Sequence, residues 1–226
     1  RTPRYQGAGS SQVNPSKPLV SLYDSLANKL NITGYSKGFD RKNPNPVDSL
    51  ISEAVSVAKN AETVLLCGGL DEILESEGMD RLHMDLSESM KTLINEVCAV
   101  NSNVILVLFG GAPFVMPQRS IYRAAIHGYL GGQAGGEAAY DVIYGDVNPS
   151  GKLAETFPFN NEDNVVAKYF PMGPRTVEYR ESIFVGYRYF DKAKKTVQYP
   201  FGHGLSYTKF EYSDIKLSKK KVKEGE

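Results

Sequence analysis

A chain of 226 residues can bury a sizeable core, and its length suits one domain or one domain plus a fragment. Its 26 basic residues balance 26 acidic ones, which argues against a nucleic-acid or membrane surface as the main partner. No apolar run approaches the roughly 18 residues that cross a bilayer and no secretory leader opens the chain, so the expectation is a soluble, cytoplasmic protein, although "RTPRYQGAGSSQ" reads as the middle of something longer.

In chain order, the first helical signal is Leu19, Leu22, Tyr23, Leu26 and Leu30, which fall on one face of a helix. Val47, Leu50, Ile51, Ala54 and Ala58 repeat that spacing after the start signal Asn45-Pro46. The run "TVLLC", Thr63 to Cys67, is apolar at nearly every position, as suits a strand covered on both faces. Five carboxylates follow it closely: Asp71, Glu72, Glu75, Glu77 and Asp80. Ser87 is a candidate N-cap for a helix striped by Met90, Leu93, Ile94, Val97 and Cys98. "VILVLF", Val104 to Phe109, and more weakly "AAIHGYL", Ala124 to Leu130, are further strands, and a helix from Gly136 through "EAAYDVIYG" turns Ala139, Val142 and Ile143 inward.

Alternating strands and helices predict an α/β domain, a three-layer α/β/α sandwich with a mostly parallel sheet. In such sheets ligand sites lie at the carboxyl ends of the strands. The acidic loop and the "GGAPF" loop, Gly110 to Phe114, leave strands at that end and are expected to open on one edge. After Pro149 the texture changes to turns, a short strand in "NPSGKLAETFP", and many aromatics from Tyr169 to Tyr212. "FEYSDIKL" alternates imperfectly, like the opening strand of a separate β domain, which places a boundary near Tyr207. The last residues, "KLSKKKVKEGE", read as a solvated end. Cys67 and Cys98 lack both disulfide and metal spacing and are expected to be buried, reduced thiols.

Three chemistries could use the carboxylate cluster. A hard metal ion would accept Asp71, Glu72, Glu75 and Glu77 as oxygen ligands, but neither EF-hand spacing nor a phosphate-binding loop accompanies them. A general acid is the second: crowding raises a carboxyl pKa, so that it holds a proton for a leaving oxygen, as glycoside hydrolysis demands. The third is a solvated turn whose charges pair with Arg81, Lys91 and water, and the residue types alone favour it. "QGAGSS" and "GGQAGGE" lack P-loop and dinucleotide spacing. His83, His127 and His203 are scattered and read as structural.

Six ordered blocks then point one way: "PRYQGAGSSQVNP", "GLDEILESEGMDR", "GGAPFVMP", "DVNPSGKLAETFP", "IFVGYRYFD" and "YPFGHGLSYTKFEY". Together they resemble the second domain of glycoside hydrolase family 3, the β-glucosidases and related exo-acting enzymes. The resemblance implies an α/β sandwich over residues 1–207 that begins after its first strand, with residues 208–226 opening a fibronectin type III-like domain. It further implies a (β/α)8 barrel partner that carries the sugar pocket and an Asp nucleophile, while this domain supplies the general acid/base for retaining hydrolysis of terminal β-linked sugars.

Carried over residue by residue, the acid/base falls in "ESEGMDR", with Glu77 first, Glu75 second and Glu72 third. Arg81 and Asp80 are the candidate substrate-binding residues, the ligand is a β-glucoside or related carbohydrate, and no cofactor or metal is implied. The chain departs from the family in having no Trp, with Gln118 and "HGYLGGQAGG" where family members carry one. The barrel's nucleophile motif is absent too, and Ser213-Asp214 is not it. Self-association through the surface that would meet the barrel is expected. The alternative is a non-catalytic carbohydrate-binding or assembly module derived from such a domain.

Overall fold

The computed structural model describes residues 3–10, 12–171, 175–221 and 223. Its elements are α1 (Leu22–Lys29), α2 (Asp48–Lys59), β1 (Val64–Gly69), α3 (Glu88–Val100), β2 (Val104–Phe109), β3 (Ala124–His127), α4 (Gly135–Tyr144) and α5 (Tyr187–Ala193). The three strands form one parallel sheet in the order β1-β2-β3. α2 packs on α3 against one face, and α1 packs on α4 against the other, so the three-layer α/β/α sandwich expected from the alternation is the observed architecture.

β2 explains why a central strand has no polar alternation. Val104, Leu106 and Leu108 join the cluster built from Ile51, Ala58, Met90, Leu93, Ile94 and Val97 of α2 and α3. Val107 joins Leu22, Ala139 and Tyr140 of α1 and α4, with Ile105 and Phe109 packed beside them. Side chains of a strand point alternately to its two faces, so a strand between two helical layers needs apolar residues at both parities. Each such fully buried side chain stabilises the fold by about 1.5–3 kcal/mol.

Local chemistry sets the helix limits. Ser21 and Asp24 form a reciprocal capping box at α1. The Ser87 hydroxyl accepts from the Met90 N–H at the start of α3, as its N-cap position predicts, and α4 ends at Gly145 with φ 79°. β1 runs two residues past Cys67, because Gly68 and Gly69 still pair with Leu108 and Phe109. Gly69 has φ 128°, and a Cβ there would stand 1.8 Å from the Phe109 carbonyl oxygen. That bend is where the strand stops and the acidic loop begins.

Three features differ from the sequence reading. Cys67 is not buried: it is exposed on a groove of about 890 Å³ along the free edge of β1, also lined by Leu22, Leu26, Tyr35, Leu65 and Phe109. Surrounding protein still pushes its thiol up to about 11. Cys98 is only half-buried. α5 arises within the aromatic block, where β-favouring Tyr and Phe hide a short helix that buries only Phe190.

Among the described residues 208–221 and 223 there is no strand, and Phe210, Tyr212, Ile215 and Leu217 are exposed. Tyr207 and Thr208 tie this end to the sandwich: the Tyr207 hydroxyl donates to the Val142 carbonyl at 2.7 Å, and the Thr208 hydroxyl accepts from the Asn148 side-chain amide at 3.1 Å. The segment 153–157 folds back along 199–203 through Leu153–His203 and Phe157–Tyr199 backbone bonds.

Candidate functional site

The parallel sheet brings the carboxyl ends of β1, β2 and β3 to one edge, and the two loops expected to share it are stitched together there. The Arg81 Nη1–H donates to the Pro113 carbonyl at 2.8 Å. The Val115 N–H donates to the Met84 carbonyl at 2.9 Å. On its other side the acidic loop is tied to the start of the chain, through a parallel bridge between Ala8 and Ser76 and the Glu77 N–H donating to the Ala8 carbonyl at 3.1 Å.

Each carboxylate is compensated differently. Asp71 is buried, and its Oδ1 accepts from the Ile73 and Leu74 N–H groups at 3.0 and 2.9 Å. Glu72 pairs with Arg41. Glu75 meets Arg4 at 2.7 Å and also accepts from the Gly111 N–H at 3.0 Å, so it links all three segments. Glu77 is exposed and pairs with no cation among the described residues: it accepts from the Ser10 N–H and, at 3.0 Å, from the Ser10 hydroxyl. Asp80 is exposed.

The crowding argument is corrected by this geometry. Glu77 is held below the usual carboxylate range, first by the Ser10 hydroxyl and then by the Ser10 N–H, because hydrogen bonds to the charged form favour it. The carboxyl raised at this edge is Glu155, pushed up by burial and by the negative charge of Glu75. The partners expected for a solvated turn also differ, since Arg81 spends its bond on the Pro113 carbonyl and Lys91 pairs with Asp85 and Glu88.

Arg81 is half-buried, and its Nε and Nη2 are buried without a hydrogen-bond partner among the described residues. Around it lies a cavity of about 300 Å³, also walled by His83, Pro113, Glu155, Asn161 and Phe190. His127, at the end of β3, is packed among Phe114, Phe157 and Tyr129, with ring centroids 5.4, 5.4 and 4.2 Å away. Burial lowers it to about 4, against the opposing pull of Glu75. His83 is exposed, and His203 tilts on Tyr199. Among the described residues no three His, Cys, Asp or Glu side chains converge as a metal group, and no helix is long and apolar enough to cross a membrane.

Sequence reasoning brought Glu75, Glu77, Asp80 and Arg81 to this edge but missed Arg4, Ser10, Gly111 and Glu155. Arg4 and Ser10 sit in a Gly-rich stretch whose partners lie 71 and 67 positions away, and no local spacing signals them. Glu155 stands in "KLAETFP", where a single carboxylate in a turn carries no pattern.

The model for the glycosyl hydrolase family 3 C-terminal domain matches residues 1–207. Thermostable beta-glucosidase B of Acetivibrio thermocellus is 44% identical over 229 aligned residues, which cover 100% of this chain and 30% of the relative. An exo-alpha-(1->6)-L-arabinopyranosidase of Bifidobacterium longum is 42% identical over 220, covering 97% and 29%. The chain thus spans about 30% of the length of these curated relatives. Among solved structures, a Bifidobacterium adolescentis family 3 beta-glucosidase matches with a TM-score of 0.85 at 42% identity, covering 91% of this chain and 30% of that one. A Kluyveromyces marxianus beta-glucosidase in complex with glucose matches at 0.70 and 39%, covering 76% and 21%.

Proposed function

This chain belongs to the glycosyl hydrolase family 3 C-terminal domain family, and we propose that it lends the general acid/base to a β-glucosidase-type exo-hydrolase in which a (β/α)8 barrel carries the Asp nucleophile. Glu77 is the residue assigned that role. The observation that carries the reading is its setting: at the carboxyl-end loop of β1, Glu77 is exposed and paired with no cation among the described residues, while Glu72 and Glu75 are each held by an arginine. Beside it, Met79 and Leu82 are 62% and 94% exposed, as suits a loop that a second surface covers.

An acid must hold a proton near working pH, and Glu77 bonded to Ser10 in water does not. Covering the loop with a barrel and a sugar removes solvent from the carboxylate, which raises its pKa. Protonated Glu77 then gives its proton to the leaving glycosidic oxygen as the nucleophile forms the glycosyl-enzyme bond. As a carboxylate it later takes a proton from the water that breaks that bond. In this reading Glu75 holds the loop in place through Arg4 and Gly111 rather than touching the sugar.

Leaving-group dependence is the test. In the complete enzyme, Glu77→Gln is expected to cost about 10² to 10⁴ in rate on a glycoside with a poor leaving group and far less on an activated aryl glucoside, whose oxygen leaves without protonation. Equal losses on both substrates would make Glu77 a packing residue. A silent Glu77 change beside a leaving-group-dependent Glu75→Gln would exchange the two roles.

A further inference from the structure

The segment that crosses the acidic loop builds a seat for the Glu77 carboxylate. The Ser10 N–H donates to Oε2 and the Ser10 hydroxyl donates to Oε1, the latter at 3.0 Å, so one residue grips both oxygens and fixes the plane of the group. Gly9 makes that approach possible. It has φ 138°, and a Cβ on it would stand 2.5 Å from both Cβ and Oε2 of Glu77, a closeness left to glycine. The Glu77 N–H donates to the Ala8 carbonyl at 3.1 Å, so the stretch Ala8 to Ser10 holds main chain and side chain together.

The seat is anchored on both sides. Arg4 donates to the Leu70 carbonyl at 2.8 Å, and the Gly132 N–H donates to the Tyr5 carbonyl at 3.0 Å, which ties the segment to the loop after β3. Glu77 itself is exposed, so the lone pairs that Ser10 leaves free are open to a ligand. The charged groups of the two segments are engaged elsewhere: Arg4 and Glu75 pair with each other, Arg81 donates to the Pro113 carbonyl, and Asp80 is exposed. What acts on the Glu77 carboxyl is the Ser10 hydroxyl, then the Ser10 N–H, and against them desolvation.

The two donors differ in what they can do. An N–H only donates, so Oε2 is kept as an acceptor. A hydroxyl donates or accepts, so the one facing Oε1 stays bonded when that oxygen takes up a proton. We propose that Gly9 and Ser10 are positioning residues for the acid/base: their turn holds the Glu77 carboxyl so that Oε1 carries the transferred proton, and the Ser10 hydroxyl reverses its hydrogen bond as that proton comes and goes. This rests on Glu77 being the acid/base. In the first half-reaction the proton leaves Oε1 for the glycosidic oxygen as the sugar C–O bond breaks and the barrel's aspartate bonds to that carbon, and the Ser10 hydroxyl then donates to the carboxylate. In the second, water attacks the same carbon, its proton goes to Oε1, and the bond to the aspartate breaks.

The pH dependence of kcat/KM in the complete enzyme, on a glucoside with a poor leaving group, tests it. A general acid must be protonated, so activity falls as pH rises through its pKa. Ser10→Ala removes a hydroxyl that favours the charged form. The alkaline limb is therefore expected to move to higher pH, and the plateau below it to fall about tenfold as the carboxyl loses its orientation. Ser10→Thr, which keeps a hydroxyl, should restore both. Gly9→Ala should lose about 10²-fold on the poor leaving group and far less on an activated aryl glucoside, the pattern of a displaced acid. Should Gly9→Ala fail to fold, the two Ser10 variants decide. An alkaline limb that stays in place in Ser10→Ala, or losses in Ser10→Ala that are equal on both substrates, would overturn the proposal alone where Glu77→Gln still depends on the leaving group. Losses in Glu77→Gln that ignore the leaving group would overturn the acid/base reading and this proposal with it.

Discussion

Arg4 and Glu75 meet through Nη1 and Oε2 at 2.7 Å with side chains only 7% and 19% exposed, and the same Arg4 nitrogen donates to the Leu70 carbonyl at 2.8 Å. One cation thus fastens the start of the chain to both ends of the first turn of the acidic loop. Removing one member of a buried pair leaves the other's charge uncompensated, which costs more than the pair itself contributes.

Arg4→Met is therefore expected to destabilise the chain by about 2 kcal/mol, and Glu75→Gln by a similar amount. The double variant should lose less than the sum of the two. Urea unfolding of all four proteins gives the coupling; simple additivity would mean that the contact carries no energy of its own.

Ser10 holds Glu77 below its ordinary carboxylate value of 4.5. A depressed folded pKa stabilises above the unfolded value and ceases to do so as pH falls through the folded one. Ser10→Ala should raise the Glu77 carboxyl in a carbon-detected NMR titration. The stability difference between Ser10→Ala and the parent should be present at pH 7 and shrink below the Glu77 titration.

His127 has the opposite linkage. Its folded pKa of about 4 lies below the ordinary 6.5, so between those values the unfolded chain binds a proton that the folded one refuses. Stability should fall as pH drops from 6.5 toward 4, by up to about 3 kcal/mol from this group. His127→Phe fits the aromatic surround of Phe114, Phe157 and Tyr129 and should flatten that segment of the curve. Parallel pH curves for the two proteins would assign the acid sensitivity elsewhere.

Gly69→Ala should be among the most damaging small changes. It sets a Cβ 1.8 Å from the Phe109 carbonyl oxygen at φ 128°, a conformation left to glycine. A loss of about 3 kcal/mol or more, or failure to fold, is expected. Gly78→Ala, which meets nothing within 4 Å at φ 78°, should cost about 1 kcal/mol. Thermal unfolding of the two variants checks the order.

The sequence by itself determined the layers. A run such as Val104 to Phe109 cannot satisfy water on either face, and stripes such as Met90, Leu93, Ile94 and Val97 must cover something, so strand type, parallel pairing and the shared carboxyl edge follow from short-range periodicity. Ser87 was legible as a cap for the same reason, since its partner Met90 is three residues away. Tertiary structure alone decided what each carboxylate does. Glu75 and Glu77 are chemically alike and two positions apart, yet one faces Arg4 and Gly111 and the other Ser10, because the N-terminal segment crosses the loop from a distance that no local pattern encodes. The same holds for Glu155, whose raised pKa comes from its burial and from Glu75, 80 residues earlier. Periodicity reports which face of an element is apolar; the charge state of a side chain depends on neighbours that only the folded chain brings within a few ångströms.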